Sequence, residues 1–437
     1  MWRKITMKIL VLIVFAGFVF AFGNCDPKPP IPPNPTPTPQ APHEVVIDKE
    51  LMITSLDVVN SPDATSPDGA FAIKTLLNNM APAGKDAKAM MLSLLTDWEI
   101  NQTINSFSVP ARANIRTAVI NSWKAKDGQA AASDDDWNMN FANAPFRLLA
   151  IVNRIDLRRL DNSNVLNAGE GRFVFGVLDQ NGNPMPFTII LEYEQQAKNE
   201  AELKKWATDW HQLGTFPAFN ADYLNSLKNL TAKFTGKNVM PGKPNGSALN
   251  QLRTNEIAIG SPWELREFHL SAANGLFDPA MTMQTPNLTH NNKPRLVDFI
   301  NQNVDAIKNG THTVPQFFPA GQPFLAGNAP VEEGFWKTPT AIDGEARHRF
   351  SLNTCNACHS RETQTRFLHV ENRAANQAAP LSGFLTGISV IDPVDNVTSR
   401  PFQDLADRAK ILKFLIGEVS LSRDIEDVFK NRGKRVH

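Results

Sequence analysis

A five-residue segment near the C-terminus, Cys355-Asn356-Ala357-Cys358-His359, constrains the fold more than any other stretch of this 437-residue chain. Its C-x-x-C-H spacing is the attachment signature of a covalently bound c-type haem. Two thiols three positions apart can each add to a vinyl group of one porphyrin, and the next residue can then offer an imidazole nitrogen to the iron. Five residues therefore supply two covalent tethers, Cys355 and Cys358, and one axial ligand, His359.

Two closely spaced cysteines also occur in local disulfides, in zinc sites and in redox pairs. A zinc ion would need two further Cys or His ligands, and the sequence contains no second Cys-x-x-Cys pair. The surrounding sequence also lacks the strand-then-helix pattern of a thioredoxin-like motif. Haem is therefore the favoured interpretation if the chain is exported, and Arg347, Arg349 and Arg366 are candidate partners for the haem propionates.

The N-terminus predicts export. An uncharged apolar run over residues 9–22 has the length of a signal-peptide core and is too short for a comfortable membrane span. The positive charges that flank it are Arg3, Lys4 and Lys8. Cys25 follows and resembles the lipidated first residue of a bacterial lipoprotein. We therefore expect a signal peptide over residues 1–24 and a membrane lipid anchor on Cys25, with ordinary signal-peptidase cleavage as the alternative.

Residues 25–44 predict an extended tether. Nine prolines lie between Asp26 and Pro42, and because proline lacks a backbone donor and has a fixed φ, this segment cannot form helix or sheet. A polyproline II spacer of this length spans about 50 Å at roughly 3.1 Å per residue. Lipid on Cys25 and haem on the other two cysteines would then use all three cysteines of the chain.

Residues 45–330 predict an α+β body with an antiparallel sheet and no recognisable chemistry. Asn-Gly within Asp179–Asn183 separates two apolar runs and indicates a β-hairpin. Apolar periodicity predicts helices over residues 199–213, 220–234 and 293–308, and strands over residues 148–155, 255–259 and 263–270. The scattered histidines of the body are interpreted as surface or hydrogen-bonded side chains, and they are His211, His269, His290 and His312.

The Pro/Gly-rich segment over residues 315–330 marks a predicted boundary, and residues 331–437 form the predicted haem domain. Helices are expected before the motif, over residues 341–353, and after it, over residues 403–416. This order of helix, C-x-x-C-H and terminal helix resembles class I cytochrome c. The resemblance covers less than a quarter of the chain and implies a mainly α-helical domain with one covalent haem.

One departure from that class concerns the sixth iron ligand. Class I cytochromes c use a methionine downstream of the motif, but no methionine follows Met283 here. His369, ten residues beyond His359, is therefore predicted as the sixth ligand, because such a segment can reach about 33 Å when extended. Its neighbours Phe367, Leu368 and Val370 are apolar and suit a dry pocket. His348 is the rival ligand, and five-coordinate iron is also left open.

The expected function is electron transfer through a single haem, with an unidentified redox partner protein. The expected location is the periplasm or the outer-membrane or cell-surface side of an envelope. A peroxidase-type haem enzyme or a gas or redox sensor is the alternative, and a surface-binding or structural lipoprotein with an accessory haem is the third. Equal numbers of basic and acidic residues, 44 each, give no indication of a nucleic-acid partner.

Overall fold

The computed structural model describes residues 43–161, 164–340 and 342–432. The predicted signal peptide, the predicted lipid attachment at Cys25 and the tether up to residue 42 lie outside these residues. Within the described ranges, no helix is both long enough and apolar enough to cross a membrane.

Short helices precede and cover a central sheet. The helices are α1 (Ile47–Glu50), α2 (Leu56–Val59), α3 (Pro62–Thr65), α4 (Ile73–Met80), α5 (Ala87–Asp97), α6 (Asn121–Lys126), α7 (Glu200–His211), α8 (Ala221–Thr235), α9 (Pro294–Gln302), α10 (Val304–Lys308), α11 (Gly344–Leu352), α12 (Cys355–Cys358), α13 (Gly383–Thr386), α14 (Asp404–Ile416) and α15 (Arg423–Arg432).

The strands fall mainly between α6 and α9. They are β1 (Met52–Ile53), β2 (Gln102–Ile104), β3 (Phe107–Val109), β4 (Phe146–Arg154), β5 (Arg159–Asp161), β6 (Asn164–Asn167), β7 (Glu170–Leu178), β8 (Pro184–Glu194), β9 (Leu249–Glu256), β10 (Glu264–Leu270), β11 (Phe277–Ala280), β12 (Ala329–Pro330), β13 (Ile388–Ile391) and β14 (Ser399–Phe402). Strands β4 to β8 follow one another without an intervening α-helix.

An eight-stranded sheet with the order β1-β4-β7-β8-β9-β10-β11 organises the molecule, and β12 pairs with β10. Neighbouring strands run antiparallel throughout. The sequence-based prediction of an α+β protein with an antiparallel sheet is thereby confirmed. The predicted Asn-Gly hairpin is β7–β8, and Gly182 in its turn adopts a φ of +80°, which glycine tolerates without steric cost.

One face of the sheet is apolar and packs against the helices of the first half of the chain. Side chains alternate between the two faces of a strand, so Phe173, Phe175 and Val177 of β7 share this face with Phe187 and Ile189 of β8. Together with residues of α4, α5, α7 and α8 they form the largest hydrophobic cluster. Burial of this aromatic-rich surface is the main contribution to the stability of the body.

The opposite face of the sheet is covered by the C-terminal part of the chain. Val152 and Val174 of the sheet share a hydrophobic cluster with Cys358, Val370 and Phe384. Residues 331–432 thus pack on the same sheet as the residues before them. They contain helices α11 to α15 and the β13–β14 hairpin, with the C-x-x-C-H motif in the one-turn helix α12.

The predicted boundary at residue 330 does not coincide with a break in packing. Directly after this point, the Val331 amide donates to the Trp263 carbonyl at 2.8 Å. A further hydrophobic cluster joins Phe299 and Phe324, which precede this point, to Trp336 and Phe350, which follow it. Proline and glycine therefore mark an irregular segment here, and the contacts across it are continuous.

Two element predictions need correction. The helix predicted over residues 293–308 is divided into α9 and α10, because Asn303 has a φ of −123° and leaves the helical region. The strand predicted over residues 255–259 overlaps only the end of β9, which runs from Leu249 to Glu256, and residues 257–259 form a turn. Its central residues Arg253 and Asn255 are polar, and this hid the strand from a search for apolar runs.

Candidate cofactor site

A small, partly open cavity of about 60 Å³ lies between the second face of the sheet and the C-terminal segment. Part of its wall is apolar, and the side chains there are Met52, Val152, Val174, Ile190, Phe384 and Leu385. The polar part of the wall includes the imidazoles of His359 and His369 and charged side chains, most of them from the sheet.

The C-x-x-C-H motif lies at the edge of this cavity. Helix α12 closes with hydrogen bonds from the Cys358 and His359 amides to the carbonyls of Thr354 and Cys355, so that His359 follows immediately and contributes to the cavity wall. Cys355 packs in a small apolar cluster with Leu265, which also lines the cavity. The motif therefore places its histidine in the wall and both cysteines in the apolar clusters next to it.

His359 is held in the tautomer that binds a metal through Nε2. Its Nδ1 lies 2.6 Å from the carbonyl oxygen of Phe367, and the Phe367 amide donates back to the His359 carbonyl at 3.1 Å. Since Nδ1 must donate to a carbonyl, the lone pair lies on Nε2. Burial lowers the pKa of His359 to about 4, so the imidazole is neutral at physiological pH, as a metal ligand must be.

The Phe367 backbone is strained at this contact. Its φ is +70°, a left-handed conformation that is uncommon for bulky side chains. Residues held in this way cost about 1–3 kcal/mol each and concentrate at functional sites. Here the conformation accompanies the carbonyl that fixes His359, while the Phe367 ring stacks on Trp263 with centroids 4.8 Å apart.

His369, the predicted sixth ligand, lines the same cavity as His359. The two ring centroids are 4.3 Å apart. His369 Nδ1 is 2.8 Å from the Ser382 hydroxyl, and Nε2 is 3.6 Å from Cys358 Sγ. Burial and the neighbouring His359 hold the pKa of His369 well below its usual value. Because the rings touch each other here, an iron could lie between them only if they moved apart.

His348, the rival ligand, belongs to a separate buried ion cluster. Its Nδ1 is 2.5 Å from Glu362 Oε1. Arg347 bridges Glu362 and Asp392, with an N–O distance of 2.9 Å to each carboxylate. None of these four side chains is among those that line the cavity.

None of the three predicted propionate partners lines the cavity. Arg347 bridges two carboxylates in the cluster just described, and Arg349 bonds to Glu345 and to the Lys308 carbonyl. Arg366 is exposed. The prediction selected these residues for their closeness in sequence to the motif, whereas helix α11 and the following loop direct them away from the cavity.

The cationic side chains of the cavity come mainly from the sheet, and sequence reasoning missed them. They are Arg154 of β4, Arg172 of β7, Arg253 of β9 and Arg408 of α14. Each forms an ion pair with a buried or half-buried carboxylate, and these partners are Asp156, Glu170, Glu192, Glu267 and Asp404. The charged wall is therefore a set of compensated pairs rather than a surplus of positive charge.

A signal for this wall does exist in the sequence. Arg172 and Val174 alternate with buried aromatic residues along β7, and Glu192 does so along β8, so their face of each strand had to be covered. Strand register then places Arg172 opposite Glu192, and Ile190 opposite Arg253. Charged residues at alternate positions of otherwise apolar strands were the clue to a buried polar site.

Two groups of His, Asp and Glu side chains within the described residues have ligand atoms close enough to hold a metal ion. They are His43–Glu50–His211 and His348–Glu362–Asp392. Neither group contains a cysteine, so the zinc interpretation of Cys355 and Cys358 gains no partner ligands from them.

The haem that the motif implies can be tested against these residues. They offer an apolar wall, a neutral imidazole with a fixed tautomer, and two cysteines beside it, which is the donor set that such a group requires.

Comparison of the chain with known protein families, with curated proteins and with solved structures finds no match.

Proposed function

We propose that this chain is an exported c-type haem protein, with one haem attached at Cys355 and Cys358 and His359 as an axial ligand. The observation that carries the proposal is the position of His359, which follows the two cysteines and lines a partly apolar cavity with its Nδ1 held by the Phe367 carbonyl. In attachment, each S–H adds across one vinyl double bond, so that sulfur bonds to one carbon and the hydrogen ends on the other.

The proposed role is electron transfer to or from a partner protein. A bound haem supplies a one-electron couple between ferric and ferrous iron. The chain's own contribution is to orient His359 and to exclude water with Val152, Val174, Phe384 and Leu385. A cytochrome c-like character of residues 331–437, the lipid anchor at Cys25 and an envelope location belong to the same proposal.

A haem enzyme or sensor is the second candidate, and one observation favours it. Arg253 and Glu192 line the same cavity as His359 and His369, and they form an ion pair with an N–O distance of 2.8 Å. Burial raises the pKa of Glu192. Buried charged groups beside an open iron position could act on a small bound molecule. Five-coordinate, high-spin iron would favour this candidate, and six-coordinate, low-spin iron would favour electron transfer.

The direct test uses the full chain made in cells that carry the c-type maturation machinery. Acid-acetone extraction should leave the haem on the polypeptide, since thioether bonds survive it, and a pyridine haemochrome should show the c-type band. One haem per chain is expected. Haem that extracts freely, or protein that acquires no haem in these cells, would contradict the proposal.

The sixth ligand gives a second prediction. His369→Ala should convert a low-spin spectrum to high-spin and should open the iron to carbon monoxide or cyanide, because the imidazole is lost from the cavity. His348→Gln is the matched control, since His348 lies in the separate ion cluster and Gln can retain a hydrogen bond to Glu362.

The spectra of the two variants decide between the ligands. An unchanged low-spin spectrum in His369→Ala would remove this residue from the role, and a change confined to His348→Gln would transfer the role to His348. A high-spin spectrum in the wild-type protein would show that neither histidine binds the iron.

A further inference from the structure

A second group of metal-type side chains lies at the beginning of the described chain, away from the cavity. His43 Nε2 is 3.4 Å from Glu50 Oε1, and His211 Nδ1 is 2.8 Å from Glu50 Oε2. The rings of His43 and His211 are stacked, with centroids 3.9 Å apart and planes 3° from parallel, so one ring must turn before both can bind the same ion. These residues come from the N-terminal lead-in, from α1 and from the end of α7.

We propose that His43, Glu50 and His211 form a binding site for one divalent transition-metal ion of the zinc type. Imidazole nitrogen and carboxylate oxygen are zinc ligands, at about 2.0–2.2 Å from the ion. Two such ligands at neighbouring corners of a tetrahedron lie roughly 3.4 Å apart, which is the separation of His43 Nε2 from Glu50 Oε1. Three protein ligands leave one coordination position to water, as in catalytic zinc sites.

The burial of Glu50 and of His43 Nε2 supports a metal site at this position. Glu50 is completely buried, and a buried carboxylate needs a cation beside it, because an uncompensated buried charge is strongly destabilising. His43 Nε2 is also shielded from solvent, and no described residue makes a hydrogen bond with it. A metal ion on Glu50 and His43 would satisfy both atoms.

The surroundings of the three residues have the form of a metal site's outer shell. His211 Nε2 lies 3.4 Å from Glu418 Oε1, and a metal-binding histidine usually directs its second nitrogen toward a carboxylate. The Val46 amide donates to Glu50 Oε1 at 2.8 Å, which fixes the carboxylate. Gly214 closes one side, since a Cβ there would collide with Glu50 Oε1 and His43 Nε2.

The other candidate cluster carries less weight. In His348–Glu362–Asp392, the guanidinium of Arg347 already bridges the two carboxylates. A guanidinium supplies the positive charge that a metal ion would bring, so this cluster is complete as a salt-bridge network. Among the residues that the structure describes, no such cation bridges the group around Glu50, where a proton on a histidine is the competing way to compensate the carboxylate.

The experiment measures zinc on the full haem-loaded chain. The protein is treated with a chelator, which leaves covalently attached haem iron in place, and is then titrated with Zn²⁺ against a chromophoric competitor. One zinc per chain is expected, and zinc should raise the thermal midpoint by mass action. His43→Gln and His211→Gln should each weaken zinc binding at least roughly 100-fold, because removal of a ligand should cost more than removal of an outer-shell partner.

The control variant is His269→Gln, which changes a half-exposed histidine paired with Glu267 and should leave zinc affinity unchanged. A wild-type protein that binds no zinc would overturn the proposal, even if a variant failed to fold. Wild-type zinc affinity in both ligand variants would also overturn it, as would a thermal midpoint that responds to pH but not to zinc. The two ligand variants separate this site from the cysteines, because zinc held by Cys355 and Cys358 in a chain without haem would not respond to either substitution.

Discussion

Replacing Cys355 and Cys358 together by alanine is expected to abolish covalent haem completely. Each thioether needs one thiol, and His359 alone can hold haem only by coordination. In a denaturing gel stained for haem, the wild-type band should be positive and the double-variant band negative. Mass spectrometry of the same samples should show the wild-type chain heavier by one haem.

Variants with a single cysteine replaced, including Cys25 outside the motif, serve as controls for this test. Cys355→Ala and Cys358→Ala should each retain one thioether at reduced yield, and Cys25→Ala should retain haem fully, because it leaves the motif intact. Haem staining that persists in the double variant would exclude the attachment sites assigned here. A wild-type chain that carries zinc at these cysteines instead would support the zinc interpretation.

The motif and the hairpin were predictable because their information is local. Five consecutive residues define the C-x-x-C-H spacing, and Asn181-Gly182 between two apolar runs is sufficient for the turn between β7 and β8. Helix α7 was predictable for the same reason, since Asn199 caps it by accepting a hydrogen bond from the Glu202 amide at 2.9 Å. Chain neighbours alone determine each of these features.

The cavity wall was not predictable in this way, because its charged residues meet through strand register. Arg172 and Arg253 lie 81 positions apart in the sequence, and both pair with Glu192 of β8, which lies between their strands. His211 was interpreted as an ordinary histidine because Glu50, its partner, lies 161 positions earlier. A boundary at residue 330 was expected from proline content, which does not indicate that Phe299 and Phe324 pack with Trp336 and Phe350 across it.

The largest change in the free energy of unfolding is expected from a substitution in the charged wall of the cavity. Arg253 is buried between Glu192 and Glu267, with N–O distances of 2.8 and 3.1 Å. Arg253→Met keeps most of the side-chain volume but removes the cation that both carboxylates share. Breaking a buried ion pair from one side costs about 3–5 kcal/mol, because a charge stays buried without compensation. Urea unfolding of both proteins in the same haem state should show a loss of this size.

Lys205→Met is the matched control, since Lys205 pairs with Asp209 at the surface and is 68% exposed. An exposed pair contributes about 0–1 kcal/mol, so the control should unfold nearly as the wild type does. Adding Glu267→Gln to Arg253→Met should recover part of the loss, because it removes one uncompensated carboxylate. A loss below about 1 kcal/mol in Arg253→Met would show that Arg172 and His269 already compensate the two glutamates.

The same substitution connects the wall to the proposed electron transfer. Arg253 lines the cavity together with His359, and a nearby positive charge favours the reduced, less positive state of an iron centre. Arg253→Met should therefore lower the haem midpoint potential, whereas Lys205→Met should not change it. A haem midpoint potential that stays constant while the stability falls would show that Arg253 stabilises the sheet but lies too far from the iron to affect it electrostatically.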